Sequence, residues 1–130
     1  GEDFLPDDMT IQDWGISYEE LEPHYLRFER LCGISGQAGS VNGEFQEGGN
    51  PFAGDRSAPF PLPPLKRVNA TNIFDDAAKK AGMHPFPVPA ANASAPYTNP
   101  YGVRMGGCTF CGFCERFGCY NNSKASPQAC

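Results

Sequence analysis

Residues 35–64 read SGQAGSVNGEFQEGGNPFAGDRSAPFPLPP, and they decide the fold class because they carry no structural period. Apolar residues recur neither at every second position, as in a half-buried strand, nor at every third and fourth, as on a helix face. Glycine, asparagine, serine and proline interrupt every run. From Ile34 onward the chain therefore predicts a loop of about thirty residues, far longer than the handful usual inside a compact domain. Loops of that length are functional coverings, or are held by surfaces outside the segment. Its proline-rich end, residues 59–64, predicts an extended or polyproline II spacer.

Before this loop stands SYEELEPHYLRFERLCG, residues 17–33. Ser17 with Glu20 three residues on is a capping box, in which two side chains satisfy orphan backbone donors. Pro23 cannot donate to the previous turn, so the reading predicts a short turn over residues 18–22 and a main helix beginning at Pro23. Leu21, Tyr25, Phe28 and Leu31 or Cys32 recur at helical spacing and form the expected buried stripe, a face that needs a partner to cover it. Gly33 is the expected left-handed stop.

After the loop, NATNIFDDAAKKAGMHP predicts a second helix over residues 70–82. Asn69 or Thr71 is its cap, Ile73, Phe74, Ala77, Ala78 and Ala81 its inward face, and Gly82 its stop before Pro85. Asp75 with Lys79 and Asp76 with Lys80 are opposite charges four apart on the wet side, each pair worth a few tenths of a kcal/mol. Five prolines then leave one short extended segment near residues 86–88. The organisation expected is a helical segment 17–33, a long loop 34–68, a helix 70–82, a Pro/Gly-rich segment 83–106 and a Cys-rich turn 107–120. The fold class is α plus irregular: few helices packed on each other, long loops and little strand.

The 130 residues are enough for one domain, yet 15 are glycine and 13 proline, which approaches the level of irregular chains. Ten Phe, five Tyr and one Trp argue against disorder, since aromatic rings supply the apolar area a disordered chain lacks. A net charge of −5 without any Lys/Arg cluster excludes nucleic acid as a partner. No apolar run approaches the roughly 20 residues that span a bilayer, and the first residues, GEDFLPDDMT, carry acids where an export signal would carry bases. Asn69-Ala-Thr71, Asn92-Ala-Ser94 and Asn121-Asn-Ser123 match the glycosylation acceptor, a pattern short enough to arise by chance. His84 reads as a surface or capping residue at a helix exit. No phosphate-binding loop, dinucleotide fingerprint, zinc-protease motif or nucleophile elbow is present.

The residues with chemistry lie in CTFCGFCERFGC, residues 108–119. Cys108, Cys111, Cys114 and Cys119 fall on one Gly-punctuated turn, where successive thiolates and amides can point inward as metal and iron–sulfur sites require. Phe110, Phe113 and Phe117 offer apolar cover. The spacing is near that of bacterial ferredoxins, with a final interval of four residues instead of three and Tyr120 in place of proline. Three readings stay open: an iron–sulfur ligand set, disulfides, or a four-cysteine zinc site. Cys32 and Cys130 have no assigned role.

Three long stretches, residues 10–39, 48–67 and 84–128, resemble the glucose–methanol–choline (GMC) oxidoreductase family in its gluconate-type sugar-dehydrogenase branch. TIQDWGISYEELEPHYLRFERLCGISGQAG, GGNPFAGDRSAPFPLPPLKR and HPFPVPAANASAPYTNPYGVRMGGCTFCGFCERFGCYNNSKASPQ carry it, and residues 97–128 are its most specific part. The resemblance implies an internal, substrate-side segment of an FAD-dependent enzyme. Such an enzyme takes a hydride from an alcohol or sugar carbon and passes electrons to a cytochrome at the bacterial cell envelope or periplasm. Implied partners are the remaining FAD and substrate domains of the parent chain, and cytochrome and small subunits. The family's dinucleotide fingerprint lies upstream and its catalytic histidine downstream; His24 and His84 match neither, so no catalytic residue is assigned and the fragment alone is not expected to turn over substrate.

The family's stretch after the cysteines runs close to flavin, which implies Asn121, Asn122, Ser123 and Ala125 as FAD contacts. Related enzymes hold a three-iron cluster here, and Cys111, Cys114 and Cys119 are the nearest equivalents, with Cys108 fourth. The alternative class is a cysteine-stapled structural or zinc-binding interaction module. Phe52, Phe60, Tyr97 and Tyr101 are expected to cover surfaces that the fragment lacks, leaving either a homo-oligomer or considerable exposed apolar area.

Overall fold

The computed structural model describes residue 10 and residues 12–125. Two helices and two short antiparallel hairpins stand in an otherwise irregular chain: α1 (Tyr18–Cys32), β1 (Ser40–Val41), β2 (Glu44–Phe45), α2 (Asn69–Lys80), β3 (Tyr97–Thr98) and β4 (Arg104–Met105). The α-plus-irregular class is therefore the observed one. Among the described residues α1 and α2 do not touch, so the expected helix pair is absent and each helix leans on loops instead.

The capping box opens α1: Ser17 Oγ accepts from Glu20 N, and Glu20 returns a carboxylate oxygen to Ser17 N. Pro23 does not break the helix, contrary to expectation. The turn it weakens is held from outside, because the buried Glu22 carboxylate accepts from both the backbone N–H and the hydroxyl of Ser57. At the other end Gly33 adopts φ 61°. Gly33 N and Ile34 N bond to Glu29 O, Tyr97 OH donates to Arg30 O, and Asn99 Nδ2 donates to Leu31 O. Three of the carbonyls a helix end would leave orphaned thus have partners.

The covered face of α1 differs from the predicted stripe. Glu22, Leu26 and Cys32 are buried, while Tyr25 and Phe28 remain 47% and 61% exposed. Two carboxylates set this rotation. Glu29 forms a two-pronged ion pair with the buried Arg56, whose Nε also donates to Ala58 O and whose guanidinium lies 4.0 Å from the centre of the Phe60 ring.

The long loop is organised by backbone crossings. Asn42 and Gly43 both have positive φ and turn β1 into β2, the arrangement that suits a two-residue hairpin. Asp55 fastens this turn, accepting from Ser40 Oγ and Gly43 N, and those bonds hold its carboxyl below the usual carboxylate range. Gly39 and Gly49 sit where two strands of chain pass: a Cβ on Gly39 would lie 1.8 Å from Asn50 O, and one on Gly49 1.9 Å from Ala38 O. No larger residue fits either place.

For α2 the structure also corrects the expected faces. Val68 is its N-cap without any side-chain bond, and Ile73 and Phe74 point outward. The buried positions are Asp75 and Ala78. Asp75 meets Arg67 as a close ion pair without an aligned hydrogen bond, so its predicted surface pairing with Lys79 is replaced. Gly82 N to Lys79 O and Met83 N to Ala78 O close the helix in a Schellman motif. Residues 86–88 form no strand; the paired residue is Ala90, bridged to Ser35.

The apolar centre is small: Leu62, Ala93 and Met105, with Ala95, Tyr97 and Ala125 against it. Ser35 at its edge is fully buried. Its backbone exchanges two bonds with Ala90, its hydroxyl donates to Asn92 O at 2.7 Å, and the same oxygen accepts from Ser94 N at 2.8 Å. The neighbouring residues Ile34 and Gly36 pair with Leu62.

Two variants test these anchors by urea unfolding. Ser35→Ala leaves Asn92 O and Ser94 N without their partner in a closed interior, and we expect a loss of about 1–3 kcal/mol. Glu29→Gln strands the buried Arg56 charge and costs about 3–5 kcal/mol. Unchanged midpoints would show that neither contact carries the fold.

Candidate functional site

The cysteine loop rises from a platform of three adjoining segments. Ala93 N bonds to Ser123 O, Cys108 N to Ala93 O, and Ala125 N to Ala91 O. The neck is closed by Gly106 N to Asn121 O at 2.9 Å, Asn121 Nδ2 to Gly107 O at 2.8 Å, and Tyr120 OH to Thr109 Oγ1 at 3.1 Å. Gly106 is required there, since a Cβ would lie 2.7 Å from Asn121 O. Within the loop Phe110 and Gly112 take positive φ, and Phe113 and Phe117 meet edge to face at 5.7 Å. Lys124 clamps the loop from below, its Nζ donating to Cys114 O at 2.8 Å.

The structure does not gather the four sulfurs. Cys108 and Cys119 are half-buried and Cys111 and Cys114 exposed, all four as thiols. Among the described residues no three of His, Cys, Asp or Glu form a set able to hold a metal ion. The physical reason is visible at Cys119. Its Sγ turns inward, donating to Asn121 Oδ1 at 3.0 Å and lying 3.2 Å from Ser123 Oγ, while Cys111 and Cys114 face solvent. As placed, these residues fit neither an iron–sulfur cluster nor zinc, and no chemistry is assigned through either. Cys130 lies outside the described residues.

The predicted flavin-contacting residues separate by availability. Asn121 has both ends of its amide engaged, the oxygen with the Cys119 thiol and Ser123 N, the nitrogen with Gly107 O. Ser123 is buried, and Ala125 packs on the apolar centre. Asn122, exposed on a turn at φ 57°, keeps a side chain free to meet a ligand. Of these four residues only Asn122 presents an exposed side chain, so the turn offers an edge to a ligand and does not enclose one. His24 and His84 are exposed on separate parts of the chain. No described helix is long and apolar enough to cross a membrane.

Sequence reasoning missed the chemistry of Cys119. The Ser123 hydroxyl, with backbone N–H groups of Lys124, Asn121 and Ser123, stabilises the thiolate against the opposing effect of burial and lowers the thiol to about 7. The available signal was the serine four residues after the cysteine, on a turn of asparagines. Cys119 should therefore be half thiolate near neutral pH. Its alkylation by iodoacetamide, followed by mass spectrometry, should show its midpoint near pH 7, and Ser123→Ala should move that midpoint upward; an unmoved midpoint would remove the hydroxyl from the account.

No protein-family model matches the chain, and no solved structure matches it. Two curated proteins do. The chain is 49% identical over 131 residues to the gluconate 2-dehydrogenase flavoprotein of Pantoea cypripedii, an alignment covering 98% of this chain and 21% of that protein. It is 31% identical over 101 residues to the fructose dehydrogenase large subunit of Gluconobacter japonicus, covering 72% of this chain and 17% of that one. The chain thus spans about a fifth of the length of the curated relatives it matches, and the similarity is to sugar-dehydrogenase polypeptides.

Proposed function

We propose that these residues are a segment of an FAD-dependent sugar dehydrogenase of the GMC type, acting on gluconate or a related sugar acid. The observation that carries this reading is the 49% identity extending over 98% of the chain to a gluconate 2-dehydrogenase flavoprotein. Similarity at 31% to a fructose dehydrogenase subunit supports the broader class. Bound FAD would supply the hydride acceptor. The residues described here would contribute one edge of its surroundings, with Asn122 as the outward side chain and Asn121 and Ser123 fixing the turn beneath it. Electron transfer onward to a cytochrome subunit, at the bacterial envelope, belongs to the same proposal; the description of one relative as a large subunit supports the existence of partner subunits.

Catalysis is assigned to regions outside these residues. Both histidines are exposed to solvent, whereas a base that abstracts a hydroxyl proton must lie within hydrogen-bond reach of a bound substrate. The full-length protein carrying this segment should show a flavin spectrum that bleaches on anaerobic addition of gluconate and returns with an artificial electron acceptor. The 130-residue chain alone should show no such activity. A full-length protein without flavin, or with flavin that no sugar acid reduces, would overturn the reading.

A further inference from the structure

Resting on that reading, we propose that the outward apolar arc of α1, centred on Tyr25 and Phe28, is the seat against which the parent flavoprotein chain beyond these residues packs. Leu21, Tyr25, Phe28 and Cys32 follow one another at helical spacing and form a continuous stripe. Within this chain only its Cys32 end is buried; Phe28 is 61% exposed. A helix that ended its packing here would carry polar residues at these positions. The stripe also continues into a groove of about 340 Å³, lined by Tyr25, Phe28, Ile34, Phe60, Pro89 and Ala90 together with Glu29 and Ala91. Glu29, the one charged group in that lining, is already paired with Arg56. What remains open is apolar, so the occupant is an apolar surface and not a charged peptide or an anion.

Length identifies which apolar surface. The aligned relative has about four fifths of its chain outside the matching region, and that remainder is tethered to this segment. The energetics point the same way. An apolar centre of Leu62, Ala93 and Met105 is slight for a chain of 130 residues. The segment needs further cover, and this strip with the groove beside it offers an apolar surface for it.

Hydroxyl-radical labelling of the intact flavoprotein, read residue by residue by mass spectrometry and normalised to intrinsic reactivity, tests the proposal. Tyr25 and Phe28 should fall to background. Labelling at free-side-chain rates overturns the proposal, as does protection that vanishes when a dimer is diluted to monomer, which would make a second copy the occupant. The flavin band of the same sample separates this from the functional reading: flavin present with Tyr25 and Phe28 labelled overturns the docking face alone. If flavin is absent, the functional reading falls and labelling still decides the face. As a second arm, Phe28→Asp should lower the yield of folded, flavin-loaded protein, whereas an unchanged yield would contradict a buried Phe28.

Discussion

A single buried hydroxyl ties this fold together. Three stretches of chain without regular structure of their own meet around Ser35: its neighbours Ile34 and Gly36, leaving α1, bond to Leu62 at the end of the long loop, and Ser35 itself holds residues 90–94. In a domain with a large apolar core such a group would be replaceable. Here the core is a handful of side chains, so the position of each segment is fixed by where its backbone donors and acceptors find partners. The linkage continues outward. Asn92 and Ser94 bracket Ala93, whose N–H and carbonyl bond to Ser123 and Cys108 at the two ends of the cysteine loop. An unbroken path of hydrogen bonds therefore runs from the C-terminus of α1 to the neck of that loop.

Charge performs the second task, holding the long loop against α1. The two ion pairs differ in consequence because they differ in burial. Arg56 and Glu29 have side chains 9% and 13% exposed, whereas Arg67 is 39% exposed beside its buried partner Asp75. The first pair is screened little by solvent, and losing either member leaves a charge enclosed. In the second the guanidinium retains much of its hydration, so the pair contributes less to the fold. Phe60 beneath the Arg56 guanidinium adds a face that favours the cation, and Ala58 O takes the remaining Nε proton. The carboxylate on two nitrogens, the carbonyl on the third and the ring on its face together fix Arg56, which is why a long loop rich in glycine can be held at one place.

Legibility in the sequence followed the range of the interaction. The cap at Ser17 and the stop at Gly33 are local, and both are found where the residues indicate them. Pro23 was misleading because its effect is offset by Ser57, thirty-odd positions away in sequence. The stripe of α1 was legible as apolar but not as covered, since cover depends on what lies opposite. Asp75 looked like a surface residue until Arg67, ahead of the helix, claimed it. The Asn42-Gly43 turn did carry a short-range hairpin signal, submerged in a stretch with no period. At the cysteines, spacing specified a tight turn but said nothing of where the sulfurs point, which Asn121 and Ser123 decide at Cys119.

The cysteine loop divides its sulfurs by mechanical role. Bonds at Gly106, Gly107 and Asn121 fix the neck, and Cys119 belongs to that fixed part through Asn121 and Ser123. Cys111 and Cys114 lie on the outer portion, where Phe113 and Phe117 are each 61% exposed and the clamp is one lysine on two carbonyls. Rearranging the outer portion would break few bonds and leave the platform untouched. Moving Cys119 would instead strip Asn121 Oδ1 of a donor and disturb the contact with Ser123, whose carbonyl anchors Ala93. Any partner that engages this loop therefore meets an adaptable aromatic rim around exposed thiols, and behind it a thiol whose position and acidity are set by the fold.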